Sequence, residues 1–339
     1  MNLISYIVRR LLLMIPMIIG ITIALFVVTR IVPVNPLAVI LTEKSMDNPA
    51  SVKAATEKWG LDKSLPEQYF IYLTNLVQGD MGISFKTKNP VTKDIITFLP
   101  ATIELGMASF IFAILLGLPL GIFAALRAGK FIDHFSRVFA LLGASMPPFW
   151  SGLLLLFLFY YKLGVLPGPG RVDARIGPPT HATGLFLFDS LIAGDMPAFW
   201  SSLSHLILPA IILGWFTLAL MARITRSSLI EVLQQDYIRT ARAKGLREST
   251  VIFRHALQNA LIPMVTIMGL AFAGLMTGAI MTETIFAWPG IGRYAVEASV
   301  NLDYPALMGT TLVIAILYMF MNLIVDVLYA VIDPRIREA

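Results

Sequence analysis

Six uncharged apolar stretches limit what this chain can fold into: Leu11–Thr29, Leu105–Leu126, Val138–Tyr161, Leu206–Ala222, Pro263–Thr282 and Tyr304–Val325. A bilayer core of about 30 Å takes roughly 20 helical residues to cross, which each run meets or approaches. Only 14% of the 339 residues are charged and 57% are apolar, whereas a soluble domain carries about a quarter charged. A pair of soluble domains and a disordered chain are both excluded. Strands of a membrane barrel would be half as long and alternating, which none of these runs is. The expectation is an all-α polytopic membrane protein with six transmembrane helices.

Prolines fall inside several runs (Pro16, Pro119, Pro147, Pro148, Pro209), and neighbouring helices can satisfy the backbone groups they release. Arg9 and Arg10 precede the first run. That run is too long for a signal-peptide core, and Val32-Pro33-Val34-Asn35 is no small-residue cleavage site, so residues 1–31 read as an uncleaved anchor.

Lys and Arg collect on short cytoplasmic loops. One side of the expected topology holds Arg9, Arg10, Arg127, Lys130, Arg137, Arg223, Arg226, Arg239, Arg242, Lys244, Arg247, Arg254, Arg335 and Arg337. The cations between Arg30 and Lys93 lie in a segment too long to count. Both termini are expected in the cytoplasm. The net charge of +5 then serves orientation, and no nucleic acid is called for. The absence of cysteine removes disulfides and thiolate chemistry.

Residues 32–100 read as a small external domain. Asn48-Pro49 suits an N-cap and first helical position, with Gly60 as the stop. Ser64-Leu65-Pro66-Glu67 is a capping-box pattern opening a helix that stops at Gly79. An extended Gly79–Lys88 piece follows. The core, 101–332, carries a second outer segment, Lys162 to His205, whose Pro167-Gly168-Pro169-Gly170 and Gly177-Pro178-Pro179 predict a loop before Phe186. A third, Ala287 to Asp303, opens with Trp288-Pro289-Gly290, where Trp288 also suits an interfacial anchor. Residues 333–339 form a cytoplasmic tail.

The cytoplasmic loop 226–262 is the informative one. Asp236 suits an N-cap and Gly245 a left-handed C′ position, which brackets a two-turn helix, Tyr237–Lys244. Ser249 can cap the helix that follows. A short capped helix facing the cytosol is a docking element; a positive loop resting on anionic lipid is the alternative.

This segment carries a resemblance. Asp236-Tyr237-Ile238-Arg239-Thr240-Ala241-Arg242-Ala243-Lys244-Gly245-Leu246, with Arg254-His255-Ala256-Leu257 and Asn259-Ala260-Leu261-Ile262-Pro263, resembles the EAA loop of bacterial ABC importer permeases, in the wording of the dipeptide/oligopeptide branch. The general pattern is Glu-Ala-Ala and then Gly four positions on. Arg239 and Thr240 depart from it, and Ala241 and Gly245 match. Trp59-Gly60-Leu61-Asp62, Gly79-Asp80-Met81-Gly82-Ile83-Ser84, Pro100-Ala101-Thr102-Ile103-Glu104-Leu105, Glu283-Thr284-Ile285-Phe286-Ala287-Trp288-Pro289-Gly290-Ile291-Gly292 and Asp333-Pro334-Arg335 extend the resemblance over nearly the whole chain.

The resemblance implies a type I permease fold in a bacterial cytoplasmic (inner) membrane and a homologous second permease as partner. It also implies two ABC ATPases docked on the EAA loops and a substrate-binding protein delivering peptide at the outer face. Asp236, Tyr237, Arg239, Thr240, Ala241, Arg242, Lys244 and Gly245 would couple to an ATPase. Glu283, Trp288, Pro289 and Gly290 would close the outer end where the binding protein docks. Related permeases move nickel chelates or glutathione. ATP and magnesium would sit on the partner chains, with no cofactor on this one.

The residues agree with a non-enzymatic subunit. Gly129-Lys130 is followed by Phe131, so there is no phosphate-binding G-x-x-x-x-G-K-[ST] loop. His134, His181, His205 and His255 are scattered and suit loops or interfaces. Ser145 and Ser151 have no His or Asp partner for hydrolysis. Glu104, Glu283, Asp303 and Asp326 lie near span ends and read as hydrated interfacial carboxylates or local partners for Arg. A secondary transporter would show charges at the midplane or related halves, and neither is visible.

Overall fold

The computed structural model describes residues 3–31, 46–59, 62–180 and 182–332. The Gly60 stop, Val32-Pro33-Val34-Asn35, His181 and the tail 333–339 lie outside the described residues. The described elements are helical, with a single isolated bridge between Ile83 and Pro90.

Two long helices form the centre, α4 (Val91–Leu126) and α8 (Met196–Leu233). Small residues let them approach closely. A Cβ on Gly121 would fall 2.7 Å from the Ala222 carbonyl, and one on Gly214 2.6 Å from that of Ser109. Around this pair stand α10 (Ile262–Ile285) and α12 (Tyr304–Ile332). Helix α1 (Leu3–Ile31) lies against α12 at the edge and exposes Leu12, Ile15 and Met17. Arg10 pairs with Asp326 at 3.0 Å across that contact, so the expected Arg partnership holds for Asp326.

Among the described residues four helices are long and apolar enough to cross a membrane, and two bent pairs bring the number to six if each is one span. The third run is therefore not one straight helix. α5 (Phe131–Ser145) and α6 (Pro148–Leu155), which continues as a π-helical stretch Leu156–Lys162, differ in direction by 107°. The cause is Pro147-Pro148, which removes two consecutive N–H donors and disfavours helix in the residue before. Single prolines are absorbed: α1 runs through Pro16, α4 through Pro119 and α8 through Pro209. In the fifth run, Ile267–Leu275 and Gly278–Ile285 differ by 45°.

Between α1 and α4, α2 (Pro49–Trp59) and α3 (Leu65–Val77) start where the cap residues predict. Asn48 Oδ1 accepts from Ala50 N–H at 3.0 Å, and the Glu67 carboxylate accepts from Ser64 N–H at 3.0 Å. Gly79 follows with φ +81°. Tyr69 and Tyr72 of α3 pack on Phe26, and the Tyr69 and Thr22 hydroxyls lie 2.9 Å apart. After the Pro/Gly loop come α7 (Phe186–Ala193) and, at Met196, α8. α8 thus starts well before its apolar run, with the Asp195 carboxylate accepting from Ala198 N–H at 3.0 Å. A helix absent from the sequence reading, α11 (Ile291–Val300), follows the Trp288-Pro289-Gly290 turn.

Candidate coupling and closure sites

At one end of the bundle, α9 (Asp236–Ala243) follows α8 and ends at Gly245, whose φ is +74°. Its N-cap is Gln235, so Asp236 occupies the first helical turn instead of the cap, where its charge still suits the dipole. Arg247, not Ser249, precedes the next turn, Glu248–Thr250. That turn continues into a π-helical stretch, Val251–Ala256, leading towards α10.

α9 has two faces. Ile238 and Ala241 are buried among Ala125, Leu229, Val251, Ala256 and Ala260, which fixes the helix against its own chain. Asp236, Tyr237, Arg239, Thr240, Arg242, Lys244 and Gly245 are exposed. The structure thus gathers the expected coupling residues on one helix but separates Ala241 from the rest. Ala241 is a spacer allowing close approach. The exposed face is held by light ties: Arg239 to Asp236 at 3.3 Å, Arg242 to Glu248 at 2.6 Å, and Asn259 Nδ2 donating to Tyr237 Oη at 2.8 Å. The bond from Arg242 holds the Glu248 carboxyl below its ordinary value.

A stronger tie anchors the approach to α9. Asp133 of α5 is buried and accepts from Arg226 of α8 at 2.6 and 2.8 Å, and from Gly129 N–H at 2.8 Å. Sequence reading used Arg226 only as an orienting cation. Nothing in the local pattern pairs it with an acid 93 residues away.

At the opposite end, the α10–α11 turn is folded inward. Glu283 and Trp288 are fully buried, Gly290 is buried and Pro289 half-buried. The Glu283 carboxylate accepts from Thr102 Oγ1 at 2.6 Å and from Arg293 N–H at 2.8 Å. It therefore satisfies the start of α11. A Cβ on Gly290 would fall 2.3 Å from that carboxylate, so a side chain there would push Glu283 off its donors. The Trp288 indole N–H donates to the Ala101 carbonyl at 2.8 Å. Trp288 is thus a core residue and not an anchor among headgroups, and Glu283 is neither hydrated nor paired with an arginine side chain. The four expected closure residues do meet in one turn, with Glu283 and Trp288 serving its interior.

Beside this turn lies an ion pair that sequence reading missed. Arg171, from the Pro/Gly loop, donates to Glu104 of α4 at 2.6 and 3.0 Å and to the Gly184 carbonyl at 2.7 Å. Its guanidinium lies 3.6 Å over the Phe186 ring. Both charged side chains are buried (5% and 7% exposed). Leu187 N–H supplies Glu104 with another donor at 2.8 Å. Burial pulls the Arg171 pKa down and Glu104 opposes it. The only local sign was an arginine embedded in a proline–glycine tract.

The Gly79–Lys88 piece straps the same end. Asp303, buried and with no arginine partner among the described residues, accepts from Ser84 Oγ at 2.6 Å and Lys86 N–H at 3.2 Å. Asp94 accepts from Tyr294 Oη at 2.9 Å, from Asn89 Nδ2 at 3.1 Å and from the Thr87 hydroxyl. Burial and Asp94 push the Tyr294 phenol well above its usual range. The Lys86 ammonium pairs with Glu297, which Arg293 also meets at 2.9 Å, and these cations hold the Glu297 carboxyl low.

These two ends can be set beside known proteins. A family described as "Binding-protein-dependent transport system inner membrane component" matches residues 117–338, and its N-terminal counterpart matches residues 3–106. The dipeptide transport system permease protein DppB of Alkalihalophilus pseudofirmus is 45% identical, covering 98% of this chain and 99% of its own. The di/tripeptide transport system permease protein DppB of Pseudomonas aeruginosa is also 45% identical, with the same coverage. The probable D,D-dipeptide transport system permease protein DdpB of Escherichia coli is 43% identical over 94% of this chain and 93% of its own. Matches of this extent show that the chain belongs to the family of inner membrane components of binding-protein-dependent transport systems.

Proposed function

We propose that this chain, a multi-pass permease subunit of an ABC importer, forms half of the translocation pathway for di- or oligopeptides. It pairs with one homologous permease. Two ATPases bind the pair, one seated on α9, and a binding protein delivers cargo at the α11 end. ATP and magnesium are held by the ATPases. Both termini and α9 lie in the cytoplasm. The peptide transport for which these relatives are named supports the peptide reading.

The observation that carries the coupling role is the division of α9. Ile238 and Ala241 fix it from behind, and a cationic exposed face ends in a left-handed glycine. A rigid helix so mounted transmits displacement to α8 through its own backbone and to α5 through Asp133–Arg226. A loop merely resting on lipid needs no such mounting.

Copurification of the ATPases with Gly245→Val tests this. A Cβ at Gly245 meets nothing within 4 Å, so the cost is the left-handed backbone, on the order of 1 kcal/mol and more for a β-branched residue. Normal abundance with lost ATPase association and lost uptake is expected. Wild-type association and uptake would return the helix to a lipid-facing role. Uptake by the reconstituted complex with its binding protein, compared across dipeptides, glutathione and a nickel chelate, tests the cargo. Labelling of Ser51→Cys from outside, with Ser249→Cys reacting only after permeabilisation, is expected for this orientation.

A further inference from the structure

Among the described residues the sharpest change of direction within an apolar run is the 107° break of the third. Its contact with the helix beside it puts the break well inside the apolar layer. A Cβ on Gly143 would fall 1.9 Å from Trp215 Cδ1, and Trp215 stands near the middle of the apolar Leu206–Ala222 run. Prolines carry no N–H, so the Gly143 and Ala144 carbonyls lose the donors a continuous helix would supply at 147 and 148. Among the described residues nothing replaces them, whereas the Leu142 carbonyl is met by Met146 and that of Pro147 by Trp150 and Ser151. Ala144, Ser145, Pro147 and Pro148 are exposed. Beside them the Trp215 indole N–H is buried without a partner.

Hydrocarbon cannot satisfy such groups. Non-helical backbone at this depth persists only within protein or along a water-filled cavity. The neighbouring α10 is bent as well, and Gly274 and Gly278 near its bend have open space where side chains would stand. α6 reaches that helix, with Gly152 against Ile285 and Phe286.

We propose that the Gly143–Pro148 break borders the translocation pathway and offers backbone carbonyls and the Ser145 hydroxyl to the ammonium and amide N–H groups of a passing peptide. The inference rests on the peptide reading above. Acceptors stripped of their donors suit a donor-rich cargo and the water around it. An apolar helix face of a second permease would leave them unpaired.

The chain's lack of cysteine makes Ser145→Cys a clean probe. In the assembled transporter in vesicles, a charged, water-soluble methanethiosulfonate is applied and the mass of this chain is read. Ser145→Cys should react at least about tenfold faster than Leu13→Cys on the peripheral α1, since only a wetted site admits the reagent. Saturating dipeptide should slow the reaction several-fold. A rate no greater than that of Leu13→Cys overturns the proposal and leaves the face to lipid or the partner permease. Fast modification that no cargo slows overturns the contact. Protection by a nickel chelate but not by dipeptide keeps the pathway and overturns the peptide reading. Separately, Pro147→Ala with Pro148→Ala restores both donors. Uptake should fall at least about tenfold, ATPase association being retained as the check on folding. Wild-type uptake in that variant overturns the proposal.

Discussion

The two ends of the bundle solve opposite problems. The α11 end buries charge: Arg171 with Glu104, Glu283 among backbone and hydroxyl donors, and Asp94 and Asp303 under the strap. The α9 end buries one acid, Asp133 with Arg226, behind a helix whose outer face exposes its charge: Arg239 and Arg242 lie in surface pairs, and Ile238 and Ala241 are sunk into the core. Buried charges tolerate no loss of a partner, so the α11 end is built as one piece. Exposed pairs contribute little, so the α9 face remains free to exchange its partners for those of another protein. Buried charge is thus concentrated at the α11 end, and the outer face of α9 carries its charge exposed.

The sharpest way to break this contrast is at Glu104. Glu104→Gln leaves the Arg171 charge buried and unpaired, a loss of about 3–5 kcal/mol. Thermal unfolding of the purified complex should show it as a large drop, and abundance should fall with it. Replacing Arg171 as well, by Met, should recover part of the loss. Next is Gly290→Ala, whose new methyl meets the Glu283 carboxylate; a cost of roughly 1–3 kcal/mol is expected in the same measurement. Gly245→Ala at the other end adds a methyl into open space, so only the left-handed backbone costs, about 1–2 kcal/mol, read mainly as weaker ATPase copurification.

Smaller still is Arg242→Ala, which removes a surface pair and should change stability by less than about 1 kcal/mol. ATPase association should fall more than the thermal midpoint does; if the midpoint falls as far as for Gly290→Ala, the contrast between the ends fails. The least effect is acid-dependent. Glu297 is held low by Lys86 and Arg293, so its contribution is full above the ordinary glutamate value of about 4.3 and lost as pH falls through the lower folded value. The gap in thermal midpoint between the native chain and Glu297→Gln should be present at neutral pH and close under acid.

Sequence by itself determined the local features. Apolar length gave the runs, Asn48-Pro49 and Ser64 opened α2 and α3, and Gly245 ended α9, because each depends on residues within a turn or two. It also placed Glu283, Trp288, Pro289 and Gly290 together as neighbours in the chain. It did not give the direction of their side chains. Trp288 at a span end suits a headgroup as well as a core until Ala101 is known to stand 2.8 Å from its indole nitrogen.

Only the tertiary structure decided the pairings that hold the ends together. Glu104 and Arg171 are 67 residues apart, Asp133 and Arg226 93, and Thr102 and Glu283 181. Periodicity has no reach over such separations. The break at Pro147-Pro148 lay between these cases. Proline chemistry announces a lost donor, but Pro16, Pro119 and Pro209 are carried inside continuous helices. A second adjacent proline, with Trp215 filling the space beside Gly143, separates a kink from a 107° turn, because the fate of a freed carbonyl depends on what the surrounding helices place against it.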